Sequence, residues 1–466
     1  MLFRSKGKPM SDLSKIVYPT LDLFLYDLRE GLGQDPEIID HNRERFWQRI
    51  YGHPEGDESD LILEPTLLAK LKQAERSESR LVELLGADVV KNFERPLEGY
   101  YYPIQIGNTY ALQVNCSGVY ADGIRQSNYS PQPITNIKKI QGEILAHINH
   151  QPGAIGQTWI LWGQLCDRDQ DPTQIALECY KQLVSKPDWS RDFQAQGKVL
   201  GGTLFEFWRP PADWSEPEAI KHNHHLLIWL FPKKPSLDSI IDTITGIYID
   251  LIYLLYYRNK ILWAYGEINT PLAELKADLV SVNTSIAEIS MLPQNTVKLR
   301  EILSNNLTLL SRYATNLGIL DSQAQTIKTN IDHYQQRLTR LKQVDQRGDW
   351  HILEEFRDLA ASQYLQQVEM EHGRLKSGLT LLENMIRTVD GMTQTYQTQS
   401  NRSLHQSIAL AGVGVATSSI TATVLVKQQP PDNNTIFMMT PAFAWSLMTG
   451  AIATLVMWII LRLFRR

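Results

Sequence analysis

Ser407, Ala411, Gly414, Ser418 and Thr421 fall at alternating steps of four and three residues within the apolar stretch SIALAGVGVATSSITATVLV, Ser407 to Val426. On a helix that spacing gathers them on one face, while Ile408, Val415, Ile420 and Val424 lie to the sides or behind. Such a face supports two kinds of chemistry. Small residues let helix backbones approach closely, with hydroxyls bonded from helix to helix. Alternatively, several copies arranged about an axis turn the hydroxyls toward a water-filled path for an ion. A single copy encloses no path, so the second account requires a homo-oligomer, for which a rotationally symmetric ring is the natural closed arrangement. Lys427, Asp432, Asn433 and Asn434 would then form its outer mouth, where a ring of Lys427 ammonium groups repels divalent cations.

The histidines of KHNHH, His222, His224 and His225, are the other group with ligand chemistry. His222 and His224 would share one face of a strand, as two metal ligands can. No carboxylate or cysteine lies close by in sequence to complete a site, and a polar strand entrance explains the same residues. No cofactor is predicted, a metal ion at His222 and His224 being the one alternative. GAIGQTW and VLGGTL are glycine turns without the GK[ST] of a phosphate loop, and GxSxG, HExxH and paired-carboxylate signatures are absent from the sequence. The reading is of a protein that is not an enzyme.

Two elements must position the hydroxyl face. Ser407–Val426 and Ala442–Leu461 are each uncharged over about 20 residues, the length that spans a hydrocarbon core, and both are expected to cross a lipid bilayer. Trp445 and Trp458 sit near interfacial depth. Arg402 before the first span, and Arg462, Arg465 and Arg466 after the second, place both termini in the cytoplasm by the positive-inside rule, which predicts a multi-pass plasma (inner) membrane protein. The intervening KQQPPDNNTIFMMTP becomes a short loop on the far side.

Before the membrane, residues 236–405 read as a helical stalk. Leu272, Leu275, Leu279, Val282, Ile286 and Ile289 keep the 4-3 rhythm of a helix that packs along another, until MLPQN interrupts it. Leu299, Leu303, Leu310, Leu317 and Leu320 mark a second helix, which Ile327, Ile331, Tyr334, Leu338 and Leu341 continue to the turn QRGDW. Val368, Leu375, Leu379, Leu382, Ile386 and Val389 resume the rhythm, with His372 in one seam position. One helix is thus predicted to run unbroken from His351 into the membrane, over about 110 Å at 1.5 Å per residue.

Residues 1–235 alternate helix and strand signals and predict an α+β (α/β-type) cytoplasmic domain with a mixed sheet. TLDLFLYDLREGL and EPTLLAKLKQAERSESRLVELLG read as helices. YYYPIQIGNTYALQVNCSG reads as two strands turning at Gly107-Asn108. ITNIKKIQGEILAHINH and TQIALECYKQLV are helical, and TWILWGQL, KVLGGTLFEFWRP and HHLLIWLF strand-like. The 46 basic and 51 acidic residues, net charge −5, leave no basic surplus for nucleic acid. Cys116, Cys166 and Cys179 lack CxxC spacing and read as buried thiols in a reducing compartment. The first ten residues carry Arg4, Lys6 and Lys8 but no apolar stretch follows, so secretion of the first domain is not expected.

This order of parts resembles the CorA family of divalent-cation channels: a cytoplasmic α/β domain, a helical region, a long helix entering the membrane, a second span and a short basic end. SLDSIIDTITGIYIDLIYLL, Ser236 to Leu255, is similar to that family's first helix after its sheet. The resemblance implies a pentamer whose first span, here Ser407–Val426, lines an ion path gated by the cytoplasmic domain. The family's Gly-Met-Asn motif at the outer end of that span is replaced by TVLVKQQP, and DGMT, Asp390 to Thr393, lies on the other side of it. The conducted ion is therefore open. Two further readings stand beside this one: a ligand-sensing membrane effector, and a non-conducting membrane-anchored coiled-coil scaffold.

Overall fold

The computed structural model describes residues 14–31, 35–51, 68–69, 72–73, 81–86, 89–93, 97–117, 130–211, 214, 224–291 and 296–396. They divide into two units, one built from residues up to 266 together with 326–365, the other from 267–325 and the residues from 366 onward. The sequence reading placed a boundary at residue 235, whereas here the helix that follows belongs with the sheet.

TLDLFLYDLREGL, expected as a helix, forms most of strand β1, Lys15–Leu28. Leu21, Leu23 and Leu25 join one hydrophobic core, while Asp22 and Tyr26 bond to a helix on the opposite face. With both faces covered, the period of two that marks a half-buried strand is masked by apolar residues on either side. β2, Leu81–Glu83, occupies the end of the second expected helix, because its Val82 is buried across from β4. The remaining strands are β3 Lys91–Phe93, β4 Glu98–Ile106, β5 Thr109–Ser117, β6 Pro131–Pro133, β7 Gly156–Leu165, β8 Phe193–Val199, β9 Gly202–Arg209 and β10 His224–Phe231. They form one mixed sheet in the order β2-β4-β5-β1-β7-β10-β9-β8, with β3 on β4 and β6 on β1. Only β7 and β10 pair in parallel among them. The β4–β5 hairpin turns at Gly107, φ 56°, as the sequence indicates.

One face of the sheet is dry. Helices α1 Pro36–Tyr51, α2 Asn136–His147 and α3 Pro172–Leu183 set Phe46, Trp47, Ile140, Ile144, Cys179 and Tyr180 against Leu21, Val114, Leu161 and Ile228. Each such side chain contributes about 1.5–3 kcal/mol by leaving water. A short helix, α4 Trp189–Asp192, precedes β8. The opposite face is covered by α5, Leu237–Glu267, which starts where Ser236 Oγ accepts the Ser239 N–H. From Asp250 to Leu262 every residue of α5 is buried, since the C-terminal half of α7, Thr296–Val344, and then α8, His351–Leu359, lie on its other side. Leu237–Ile289 is the one helical run among the described residues long and apolar enough to cross a membrane. Its burial on the sheet accounts for the apolarity of the α5 half.

In the second unit, α6 Asn269–Met291, the N-terminal part of α7 and α9 Gln366–Tyr396 share a core of Leu275, Val282, Leu299, Leu303, Leu320, Leu382 and Val389, the 4-3 positions of the sequence. Polar side chains fix its register. Buried Asp278 is ion-paired with Arg312, Asn316 donates to Glu274 at 2.7 Å, and Tyr313 donates to the Leu375 carbonyl at 2.7 Å. Between α8 and α9 the helix continues through a π-helical turn, Ala360–Leu365, so the segment predicted to be unbroken runs helical from His351 to Tyr396 with one change of pitch.

Candidate functional site

The face of the sheet beneath α5 carries buried polar groups in two clusters. Strand register brings the first together: Asp22 faces Asn115 on β5, with Gln113 two residues along, and Trp162 stands on β7. Fully buried Asp22 accepts from Asn115 Nδ2 at 2.7 Å, Gln113 Nε2 at 2.9 Å, Trp162 Nε1 at 3.1 Å and, from α5, the Tyr248 hydroxyl at 2.9 Å. Burial pushes its carboxyl up, and these four donors pull it partly back. All four donors are neutral. At the other end of β1, Asp27 is ion-paired with buried Arg49 and accepts the Ala154 N–H at 2.8 Å, which ties α1 and the loop before β7 to the sheet.

The second cluster is the candidate site. Thr158 on β7, His225 on β10 and Glu206 on β9 project to the α5 side, where α5 supplies Arg258 and Asn259. Burial pushes His225 down to about 4, with Arg258 adding to the effect and Glu206 opposing it. The imidazole is therefore neutral at physiological pH, and that fixes the hydrogen-bond direction. His225 Nε2 donates to Glu206 at 2.9 Å and Nδ1 accepts from the Thr158 hydroxyl at 3.0 Å. Thr158 in turn accepts from Asn259 Nδ2 at 3.1 Å. Every dipole in the chain points at the Glu206 carboxylate. Gly156 makes room for it, because a Cβ there would meet Asn259 Oδ1 at 2.5 Å.

Arg258 is the unusual member. It is 2% exposed, and among the described residues none of its three guanidinium nitrogens has a hydrogen-bond partner. Its guanidinium carbon lies 4.8 Å from the Trp208 ring centroid and 4.5 Å from that of Phe356 on α8. Glu206 stands 3.8 Å away, an ion-pair distance without a hydrogen bond. Tyr334, 5.6 Å ring to ring from Phe356, donates to the Leu353 carbonyl at 2.9 Å. Tyr364, in the π-helical turn, packs 4.5 Å from Tyr265 and 5.8 Å from Trp214, and burial pushes its phenol up to about 12. A cation held by ring faces keeps its charge but gives up the directional bonds that would lock it. The arrangement brings the sheet, α5 and α8 together around one charge.

Thr158, His225 and Glu206 have the connectivity of a hydroxyl-imidazole-carboxylate triad, yet Thr158 is fully buried and its oxygen already accepts from Asn259. The chain of bonds ends inside the core. Of the predicted metal ligands, His224 is exposed at the start of β10, and His222 lies outside the described residues. Among the described residues no group of three or more His, Cys, Asp or Glu could hold a metal ion. Cys116 and Cys179 are buried and Cys166 half-buried, all as free thiols pushed up by burial. Ser407, Ala411, Gly414, Ser418, Thr421, Lys427, Asp432, Asn433 and Asn434, with both predicted spans, also lie outside the described residues. Sequence reasoning passed over Asp22, Glu206, Arg258 and Asn259, although each interrupts an apolar run: TLDLF, LFEFW and LLYYRNKILW.

Comparison with protein-family models, with characterised proteins and with solved structures finds no match to this chain.

Proposed function

We propose that this chain forms a homo-oligomeric membrane protein of CorA-like organisation. In this reading Ser407–Val426 and Ala442–Leu461 cross the bilayer, and the face bearing Ser407, Ala411, Gly414, Ser418 and Thr421 borders an ion path in a ring of copies, by the family resemblance a pentamer. The sheet unit, on the cytoplasmic side with both termini, biases the path by changing the tilt or rotation of the helix that leads to it. The observation that carries this reading is the Arg258 cage. Its ring partner Phe356 and its neighbour Tyr364 both belong to the helical segment that continues as α9, the element nearest in sequence to the first span. A change in how the sheet holds Arg258 is thereby a change in how that segment is held.

The test is flux into liposomes containing the purified full-length protein, comparing Mg²⁺, K⁺ and Cl⁻, beside Gly414→Leu and Ser418→Leu. Selective flux that both variants abolish is the expected result. Flux unchanged by either removes the hydroxyl face from the path, and no flux under any ionic condition removes the channel. The ligand-sensing effector is the second reading, favoured by a crevice at the end of the sheet.

A further inference from the structure

Two turns that look unrelated in sequence meet in the sheet unit. VLGGTL is the β8–β9 hairpin, a two-residue turn with φ 49° at Leu200 and 80° at Gly201, between the paired Val199 and Gly202. QRGDW is the connection from α7 to α8. Asp345 Oδ2 accepts the Leu200 N–H at 2.6 Å, and the Asp349 N–H donates to the Lys198 carbonyl at 2.7 Å. Gly197 permits the approach, since a Cβ there would meet the Asp349 carbonyl oxygen at 2.6 Å.

Beside this junction lies a crevice of about 380 Å³, at the lower end of the usual range for small-molecule sites. Its position follows from topology. Leu165 and Pro232, at the C-terminal ends of β7 and β10, line it, and these strands are the parallel pair of the sheet. Crevices outside the carboxyl ends of parallel strands are where open α/β sheets take ligands. Buried Leu165 and Leu230 contribute an apolar floor. Lys198 from β8 and Arg347 from the α7–α8 connection line the rim with Thr203, and among the described residues neither cation has a side-chain partner. Asp345 also lines the crevice, but its two oxygens are taken by the Leu200 and Arg347 backbone N–H groups. Two cations against one occupied carboxylate leave a net positive lining. Pro172, which has no N–H, opens α3 at the same edge, and Asp171 caps that helix by accepting the Thr173 N–H.

We infer that this crevice is a binding site for a small phosphate-bearing molecule, the phosphate held between Lys198 and Arg347 and an apolar portion resting on Leu165 and Leu230. Arg347 supplies a fork for two phosphate oxygens, Lys198 a point charge and Thr203 a hydroxyl donor. The ligand would join the β8–β9 hairpin to the α7–α8 connection and so stabilise their junction by mass action. This inference requires no ion path, and its test reads binding and not flux.

The experiment is calorimetric titration of the purified full-length protein with pyrophosphate and with inorganic phosphate, against sodium chloride at matched ionic strength. Lys198→Ala, Arg347→Ala, the double variant and the exposed control Lys181→Ala are titrated alongside. Saturable binding of at least one anion is expected, weakened about tenfold by each single variant, lost in the double variant and kept in Lys181→Ala. A preference for pyrophosphate would assign a diphosphate group, and equal binding a monophosphate. No saturable binding up to about 10 mM, a range that covers millimolar affinity, would overturn the site, as would equal binding by wild type and the double variant. Circular dichroism of each variant confirms that the fold is kept.

Discussion

Acid should weaken the sheet unit through a single imidazole. His225 is 1% exposed and held near a value of about 4, against 6.5 for the unperturbed side chain. Between those two values the unfolded chain binds more protons than the folded one, so stability rises with pH across that window. The contribution is complete above about pH 6.5 and is lost as pH falls through about 4, where it totals about 3 kcal/mol. At pH 5 about 2 kcal/mol of it is gone relative to pH 7 by the same linkage, a loss of about twentyfold in the folding equilibrium. Glu206, Arg258, Tyr334 and Tyr364 surround the cluster, and the more distant Asp22, pushed up by burial, contributes with the opposite sign. Comparison with His225→Gln therefore isolates the term. Urea titrations of the full-length protein in detergent, followed by tryptophan fluorescence at pH 5, 6 and 7, should show a wild-type loss between pH 7 and 5 that exceeds the variant's by about 2 kcal/mol. Identical pH dependence in the two proteins would refute a buried neutral imidazole.

Arg258→Lys keeps the charge but cannot present a planar group to Trp208 and Phe356 at once, so it should cost about 2 kcal/mol in the same titration; wild-type stability would show that stacking does not hold the site. Arg258→Ala should cost more, about 3–5 kcal/mol, because the buried Glu206 loses its cation. Gly156→Ala combines a φ of 145° with a Cβ 2.5 Å from Asn259 Oδ1, and a cost of about 1–3 kcal/mol is expected; adding Asn259→Ala should relieve the clash and leave the backbone strain. In the helical unit, a Cβ at Gly378 would collide with the Tyr313 hydroxyl, so Gly378→Ala should speed amide hydrogen exchange in α6 and α9. Unchanged exchange there would show that the helices have room to shift.

Local rules sufficed where one period and one turn decide the outcome. The seam residues Leu275, Val282, Leu299, Leu382 and Val389 form a core because helix periodicity places them on one stripe. The β4–β5 hairpin follows from Gly107, whose φ of 56° suits glycine. The mixed sheet was also legible as a class, from strand runs alternating with helical ones. β1 was not, because a strand buried on both faces loses the polar alternation that separates it from a helix.

The sites depend on tertiary structure for a different reason. Thr158, Glu206, His225 and Arg258 come from four elements spread over 101 residues, and only the parallel β7–β10 pairing, the β9–β10 register and the burial of α5 bring them within bonding distance. A charge inside an apolar run signals that a partner must exist, since an isolated buried charge is too costly to keep. It does not say which partner. The Arg258 cage, the β8–β9 hairpin within the run KVLGGTLFEFWRP that reads as one strand, and the meeting of the VLGGTL and QRGDW turns were settled by packing between distant segments, whereas the sequence by itself determined the helical seam, the β4–β5 hairpin turn and the two uncharged C-terminal stretches, each a property of neighbouring residues.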